Sequence, residues 1–299
     1  MLHESEPRRL RRGRFWAVRK LLVVGGNLAY KGAVNGAAIF PMSRFINLEI
    51  GGEAEDQSKG VAPGPVRDEH FYLLEAEAAF KRAEFEKALR HYGKALEFNP
   101  RHAGAWTAQV RMLVELGQLT DANSWADKAL ETFPHEAELL AAKAVVLARS
   151  GDLDGALVFS DASIEEQADT PHVWLGRGDV LAARHERRAD YCFEKALMLA
   201  PGDWTFLWVA ARIRFCHEQF AAALQLTQKA VSRDAGHFVL WLELGRCQES
   251  LGLVDAARDS FSRALELEGG CDAASEALIR LRSPGFAQRA RGWLRRIKT

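Results

Sequence analysis

The sequence predicts an all-α fold, a stack of helical hairpins forming an α-solenoid, and three observations predict it. Tyr72, Trp106, Leu140, Trp174, Leu207 and Trp241 recur at intervals of 34, 34, 34, 33 and 34 residues. A ladder of small residues, Ala88, Ala122, Ala156, Ala189, Ala223 and Ala257, runs beside it at 34, 34, 33, 34 and 34. From about Asp68 to Arg282 the apolar residues keep helical spacing with hardly a break, the pattern of amphipathic helices. A fixed period of this size marks stacked supersecondary units. Such a stack offers a long surface for holding partners rather than a pocket shaped for chemistry.

Residues 1–50 stand apart from the array. They open with a run of arginines, Arg8, Arg9, Arg11, Arg12 and Arg14, followed by Trp16 and an apolar stretch from Leu21 to Phe40. That stretch is long enough to span a bilayer. Lys31 sits at its middle, where a charge costs about 2.5–3.5 kcal/mol on insertion scales. The segment therefore fits a basic, apolar arm lying in a membrane interface or packed on a partner, with a membrane anchor at residues 21–40 or an organelle-targeting sequence as alternatives. Residues 51–67 are rich in glycine, proline and charge, and read as a flexible linker.

Within the array each unit reads as two amphipathic helices joined by a tight turn. Gly117, Gly151 and Gly252 fall in phase at that turn, with Ala83, His185 and Glu218 at the matching places. Glycine suits the end of a helix because it enters the left-handed conformation without strain. Pro100, Pro134 and Pro201 punctuate the other boundary, where they stop the second helix. The spacing is one residue short near Glu186–Arg188. Residues 272–283 read as a capping helix over the last apolar edge, and residues 284–299 as a basic amphipathic helix carrying Arg289, Trp293, Arg295 and Arg296.

These residues resemble the tetratricopeptide repeat (TPR) family. The best copy spans residues 238–271 and carries Trp241, Leu244, Gly245, Gly252, Ala257, Phe261 and Ala264 at the family's spacing. Earlier copies contribute Tyr72 and Ala88; Trp106, Gly117 and Ala122; Ala156; and Trp174, Gly178 and Ala189. The resemblance implies a right-handed α-solenoid of about six TPR-like repeats over residues 68–271, with the C-terminal capping helix after them. It also implies a concave surface lined by the first helix of each repeat. Carried over position by position, Arg111, Val145, Asp179, Arg212 and Arg246 occupy equivalent exposed places in that groove, with Trp208 and Leu242 one turn earlier. Leu73, Glu77 and Ala108 stand where the family's carboxylate clamp has lysine and asparagine, so chaperone C-termini are not the expected ligand. Arginines and a tryptophan on one face can hold an acidic or aromatic segment; the alternative is that these arginines solvate the face or pair with neighbouring acids. The tryptophans Trp106, Trp174 and Trp241 are expected to fill gaps between units, each at about 3–5 kcal/mol if buried.

The formal net charge is zero, but it is unevenly spread. Residues 1–48 hold nine basic and two acidic side chains, residues 284–299 hold five basic and none acidic, and the body between carries −12. The basic ends interleave with aromatic and apolar residues, which suits an anionic lipid surface. The acidic body argues against nucleic acid. No phosphate loop, His-Glu-x-x-His or nucleophile elbow is present. His185-Glu186 and His217-Glu218 read as solvated turn residues. Cys192, Cys216, Cys247 and Cys271 form no metal-type pair and read as small thiols of a reducing compartment. No catalytic residue, cofactor, metal or small-molecule substrate is expected.

The expected function is a scaffold or adaptor that holds an extended or helical protein segment in its groove. The expected location is the cytoplasm, peripheral to a membrane through the basic ends. The alternative is a regulatory or assembly subunit of an enzyme complex, its basic ends docking on an acidic protein or nucleic acid.

Overall fold

The computed structural model describes residues 67–166 and 169–282. The expected N-terminal arm, linker and basic C-terminal helix, with Arg8, Arg9, Arg11, Arg12, Trp16, Arg289, Trp293, Arg295 and Arg296, fall at residues 1–66 and 283–299, outside the described residues. The described chain is all-α. Twelve of its thirteen helices run in six consecutive antiparallel pairs: α1 (Glu69–Lys81) with α2 (Phe85–Phe98), α3 (Ala103–Glu115) with α4 (Leu119–Thr132), α5 (Ala137–Arg149) with α6 (Leu153–Glu165), α7 (Pro171–Ala183) with α8 (Arg188–Leu199), α9 (Trp204–Cys216) with α10 (Phe220–Arg233) and α11 (Phe238–Ser250) with α12 (Val254–Leu267). A final helix, α13 (Asp272–Arg282), packs on α12 and buries Ala274, Ala277 and Leu281.

One turn geometry recurs six times. The residues at the turn position, Ala83, Gly117, Gly151, His185, Glu218 and Gly252, all have positive φ, from 56° to 92°. In each case the next residue's N–H donates back to the helix, as Gln118 N does to Leu113 O at 2.9 Å and Gln219 N to Arg214 O at 2.9 Å. This Schellman closure satisfies the carbonyls that a helix end leaves over. Three repeats place a side chain in the left-handed region, where a Cβ meets the following carbonyl. The deletion in the fourth repeat falls directly after this turn. There α8 begins at Arg188, one residue before Ala189, whereas α4 begins at Leu119, three residues before Ala122.

Close packing within each pair comes from small residues. Ala88, Ala122, Ala156, Ala223 and Ala257 are fully buried and Ala189 is nearly so. Gly178 and Gly245 face large rings: a Cβ at Gly178 would lie 2.9 Å from Phe193 Cε1, and one at Gly245 2.6 Å from Phe261 Cε1. Phe193 and Phe261 are themselves buried.

Leu140 of the first ladder is buried, and the three tryptophans pack against the core clusters from its margin. Trp106, Trp174 and Trp241 are half-buried. Each lies at the edge of a pair and ties its helix to the loop before it: Trp106 Nε1 donates to Pro100 O (2.9 Å), Trp174 Nε1 to Asp169 Oδ1 (2.6 Å) and Trp241 Nε1 to Ala235 O (2.9 Å). Trp106 also packs on Trp125 of α4, and Lys195 sits 3.9 Å over the Trp174 ring. They staple loop to helix as well as packing on the core, and, being half-buried, lose less on truncation than the fully buried range.

The array also folds back on itself. The turn between α1 and α2 packs against α9, with Phe80 and Phe85 5.5 and 6.3 Å from the Trp208 ring. Arg82 of the same turn reaches Glu268, at the end of α12, at 2.7 Å. The first repeat thus touches the fifth and sixth.

Gly245→Ala is expected to destabilise the protein by about 1–3 kcal/mol through overpacking against Phe261, despite a gain of about 1 kcal/mol in helix propensity. Glu218→Gly should raise stability by up to about 1 kcal/mol by relieving the left-handed backbone. Thermal melts of the two variants check both signs.

Candidate functional site

The first helices of successive pairs, α3, α5, α7 and α9, pack on one another in sequence and line one interior face. A cavity of about 410 Å³ opens on it, within the range of ligand pockets. Leu73, Phe80, Met112, Val145, Leu175, Phe206, Val209 and Ile213 supply apolar wall, and Tyr92, Arg111, Glu138 and His172 a polar end.

The sequence-derived groove residues reach this region in paired form. Arg111 donates to Glu138 at 2.8 Å. Asp179 is 1% exposed. It receives a forked pair of bonds from Arg149, the shorter at 2.8 Å, and has His217 Nε2 at 2.7 Å. Arg212 bonds Glu115 and approaches Glu243 at 3.5 Å, and Arg246 meets the same Glu243 oxygen at 3.5 Å. A belt of ion pairs runs from α3 to α11.

Trp208, expected at an open place in the groove, is instead 1% exposed beneath Phe80 and Phe85. The first repeat covers it. Leu242 is also buried, packed in the cluster that contains Ala257 and Phe261. Val145 is half-buried on the cavity wall. His217, expected as a solvated turn residue, is drawn inward by Asp179, and its side chain is 13% exposed.

Arg149, Glu115, Glu138 and Glu243 join the site without belonging to any sequence motif. One signal for them is available. The pairs Arg111–Glu138, Arg149–Asp179 and Arg212–Glu243 span 27, 30 and 31 residues. That is a little under one repeat, the offset that brings neighbouring first helices side by side.

Burial and charge shift the titrating groups. Burial pushes the Asp179 carboxyl up, but Arg149 and His217 outweigh it and hold it below the usual carboxylate range. Burial likewise raises Glu138 while Arg111 and His172 bring it down on balance. His172, its ring 5.0 Å from Phe206, is held well below the usual histidine range by burial and then by Arg111. Burial pushes the Tyr92 hydroxyl up to about 12. At neutral pH the polar end therefore presents a neutral imidazole and a neutral phenol beside a closed ion pair. Among the described residues no group of three or more His, Cys, Asp or Glu could hold a metal ion, and no helix is long and apolar enough to cross a membrane.

A stack of helical hairpins with an interior face of this kind defines an α-solenoid. Residues 73–137, 107–169 and 209–277, together more than half of the chain, match the tetratricopeptide repeat model, and the chain belongs to that family. Repeats of this family are generally protein–protein interaction scaffolds and are typically non-catalytic. Over 100 residues the chain is 33% identical to the protein CTR9 homolog of Arabidopsis thaliana, covering 33% of this chain and 9% of that protein. The chain thus matches less than a tenth of that relative's length. Similar solved structures include a tetratricopeptide repeat protein from Parabacteroides merdae, at 16% identity over 74% of this chain and 87% of that one with a TM-score of 0.48. Another is a thermophilic TPR protein from Thermus thermophilus, at 20% identity over 60% and 98% with a TM-score of 0.46.

Arg149→Ala leaves the buried Asp179 carboxylate with His217 alone and is expected to cost about 3–5 kcal/mol. Arg149→Met combined with Asp179→Leu should recover most of that loss, and urea titrations of the two variants read the difference. Acid should weaken the fold through His172. Its folded pKa is depressed, so its contribution is complete above the unfolded value near 6.5 and is lost as pH falls below it. The slope from one such group is about 1.4 kcal/mol per pH unit. His91, also lowered by burial, acts in the same direction, and Asp179 adds a further loss at lower pH. His172→Gln should flatten, without abolishing, the decline in urea midpoint between about pH 6.5 and 5.

Proposed function

We propose that this protein is an adaptor that seats a segment of a partner protein against the interior face of its first helices. The observation that supports this most directly is the cavity between α1, α3, α5, α7 and α9, apolar in most of its wall and lined by consecutive repeats. Binding sites combine apolar wall with a few polar groups in this way. The arginines Arg111, Arg212 and Arg246 contribute as members of ion pairs that border the seat, so the apolar wall supplies contact area and the belt supplies orientation. The basic ends, through Arg8 to Arg12 with Trp16 and through Arg289 to Arg296 with Trp293, would meet an anionic membrane surface and keep the adaptor peripheral to it.

Affinity purification of the full chain tests the seat. Val145→Glu and Ala108→Glu place charge on the half-buried cavity wall and should remove partners while helical content, read by circular dichroism, is kept. An unchanged partner set in both variants would move binding off this face. Flotation with anionic vesicles tests the ends. The full chain should float, and a chain with Arg289, Arg291, Arg295 and Arg296 changed to glutamine should float several-fold less; equal flotation refutes a role for that end.

A further inference from the structure

The contact that closes the array points to the chemistry of a partner. The α1–α2 turn, Phe80-Lys81-Arg82-Ala83-Glu84-Phe85, sits on a receptor built by α9, α11 and the end of α12. Phe85 stacks on Trp208, its plane 16° from that ring, while Phe80 tilts against it. The Arg212 guanidinium lies 5.0 Å from the Phe85 ring centre and 5.3 Å from that of Trp208. Arg82 runs between Phe238, 5.6 Å from its ring centre, and Glu268 at 2.7 Å. Aromatic rings, an arginine against aromatic rings and a carboxylate at the rim are the ingredients of protein-interaction hot spots.

This occupancy is incomplete. Trp208 is 1% exposed, yet its Nε1 finds no hydrogen-bond partner. A buried indole N–H without an acceptor is costly, and the chain's own turn does not supply one. The rim contact is exposed by comparison: the Arg82 and Glu268 side chains are 49% and 32% accessible. The turn therefore fits the receptor in shape and charge but leaves one donor for another ligand to satisfy.

We propose that the Trp208 face is a docking site for a protein segment carrying two aromatic side chains on either side of an arginine, with a carbonyl or carboxylate to accept from Trp208 Nε1. The first repeat occupies this site as an internal competitor. The inference rests on the scaffold reading above and names the partner chemistry and the contact that holds the site shut. A segment of this kind gains entry when the Arg82–Glu268 contact opens, because that contact anchors the turn at its solvent side.

The test uses the full chain and a fluorescent synthetic peptide spanning residues 76–91. Arg82→Glu places a third carboxylate beside Glu84 and Glu268 at the rim and should open the site. The peptide is expected to bind this variant at least tenfold more tightly than the wild type. Hydrogen exchange of the α9 amides should rise in the variant and fall again when the peptide is added. Glu268→Arg should act as Arg82→Glu does, and the double variant Arg82→Glu/Glu268→Arg should restore wild-type exchange and weak binding. A peptide with Phe80 and Phe85 changed to alanine should not bind, and Trp208→Ala in the opened background should remove binding of the parent peptide. Trp208→Leu, which keeps apolar volume but no ring for Phe80 and Phe85 to pack on, provides the same reading should the alanine variant unfold: it should bind the peptide several-fold more weakly. Equal affinity for wild type and Arg82→Glu, no binding to any variant, or binding indifferent to Trp208 overturns the proposal. A chain that still captures protein partners through the Val145 face while ignoring this peptide retains the scaffold reading and loses only this inference.

Discussion

Two helices carrying ordinary side chains pack with their axes about 8–10 Å apart, and the small end of that range needs residues with almost no side chain at the crossing. Here that need is met by alanines at Ala88, Ala122, Ala156, Ala189, Ala223 and Ala257, and in two repeats by a glycine under a phenyl ring. The close approach within each pair has a consequence at the next level. A pair that is thin at its centre and stapled at its edge, as by Trp106 or Trp241, presents a first helix on one side and a second helix on the other. Stacking such units places the first helices along one face. The interior cavity, the ion-pair belt and the contact of the first repeat with the fifth all follow from that arrangement.

The repeat architecture was legible because its determinants are local and periodic. A left-handed turn residue recurs in phase, and where glycine is missing the same φ is imposed on Ala83, His185 and Glu218. That shows tertiary context overriding local preference at three turns out of six, while the neighbouring hydrogen bonds stay the same. The tryptophan ladder was legible in position but not in role. Periodicity locates Trp106 on its helix; it does not say that the indole N–H will pin the preceding loop and hold the ring at the edge.

The candidate site was less legible because its contacts are long-range. Arg82 and Glu268 are separated by 186 residues, and Arg212 and Glu115 by 97, distances at which no spacing rule applies. Position matching put Trp208 and Arg212 on the interior face, but their burial depends on how far the array curves before its start meets its end. The partner acids were closer to hand, since Glu138 and Glu243 lie within one repeat of the arginines they hold. Pattern reading by motif passes over them because charge complementarity between neighbouring repeats leaves no residue signature beyond opposite sign at a fixed offset.

The belt sets terms for anything that binds inside. A charge there is already matched: Asp179 has two donors, and Glu243 is shared by Arg212 and Arg246. A guest that draws one of these groups away must supply an equal partner, since an uncompensated buried charge is worth several kcal/mol against it. An incoming charge therefore gains little from the belt itself, and the contacts open to a guest without exchange are the apolar wall and the neutral Tyr92 and His172. The indole N–H of Trp208 lies buried under the first repeat and becomes available when that repeat gives way. Selectivity in such a site comes from shape and from a few unpaired hydrogen-bonding atoms rather than from net charge, even though the surrounding helices are dense with arginine and glutamate.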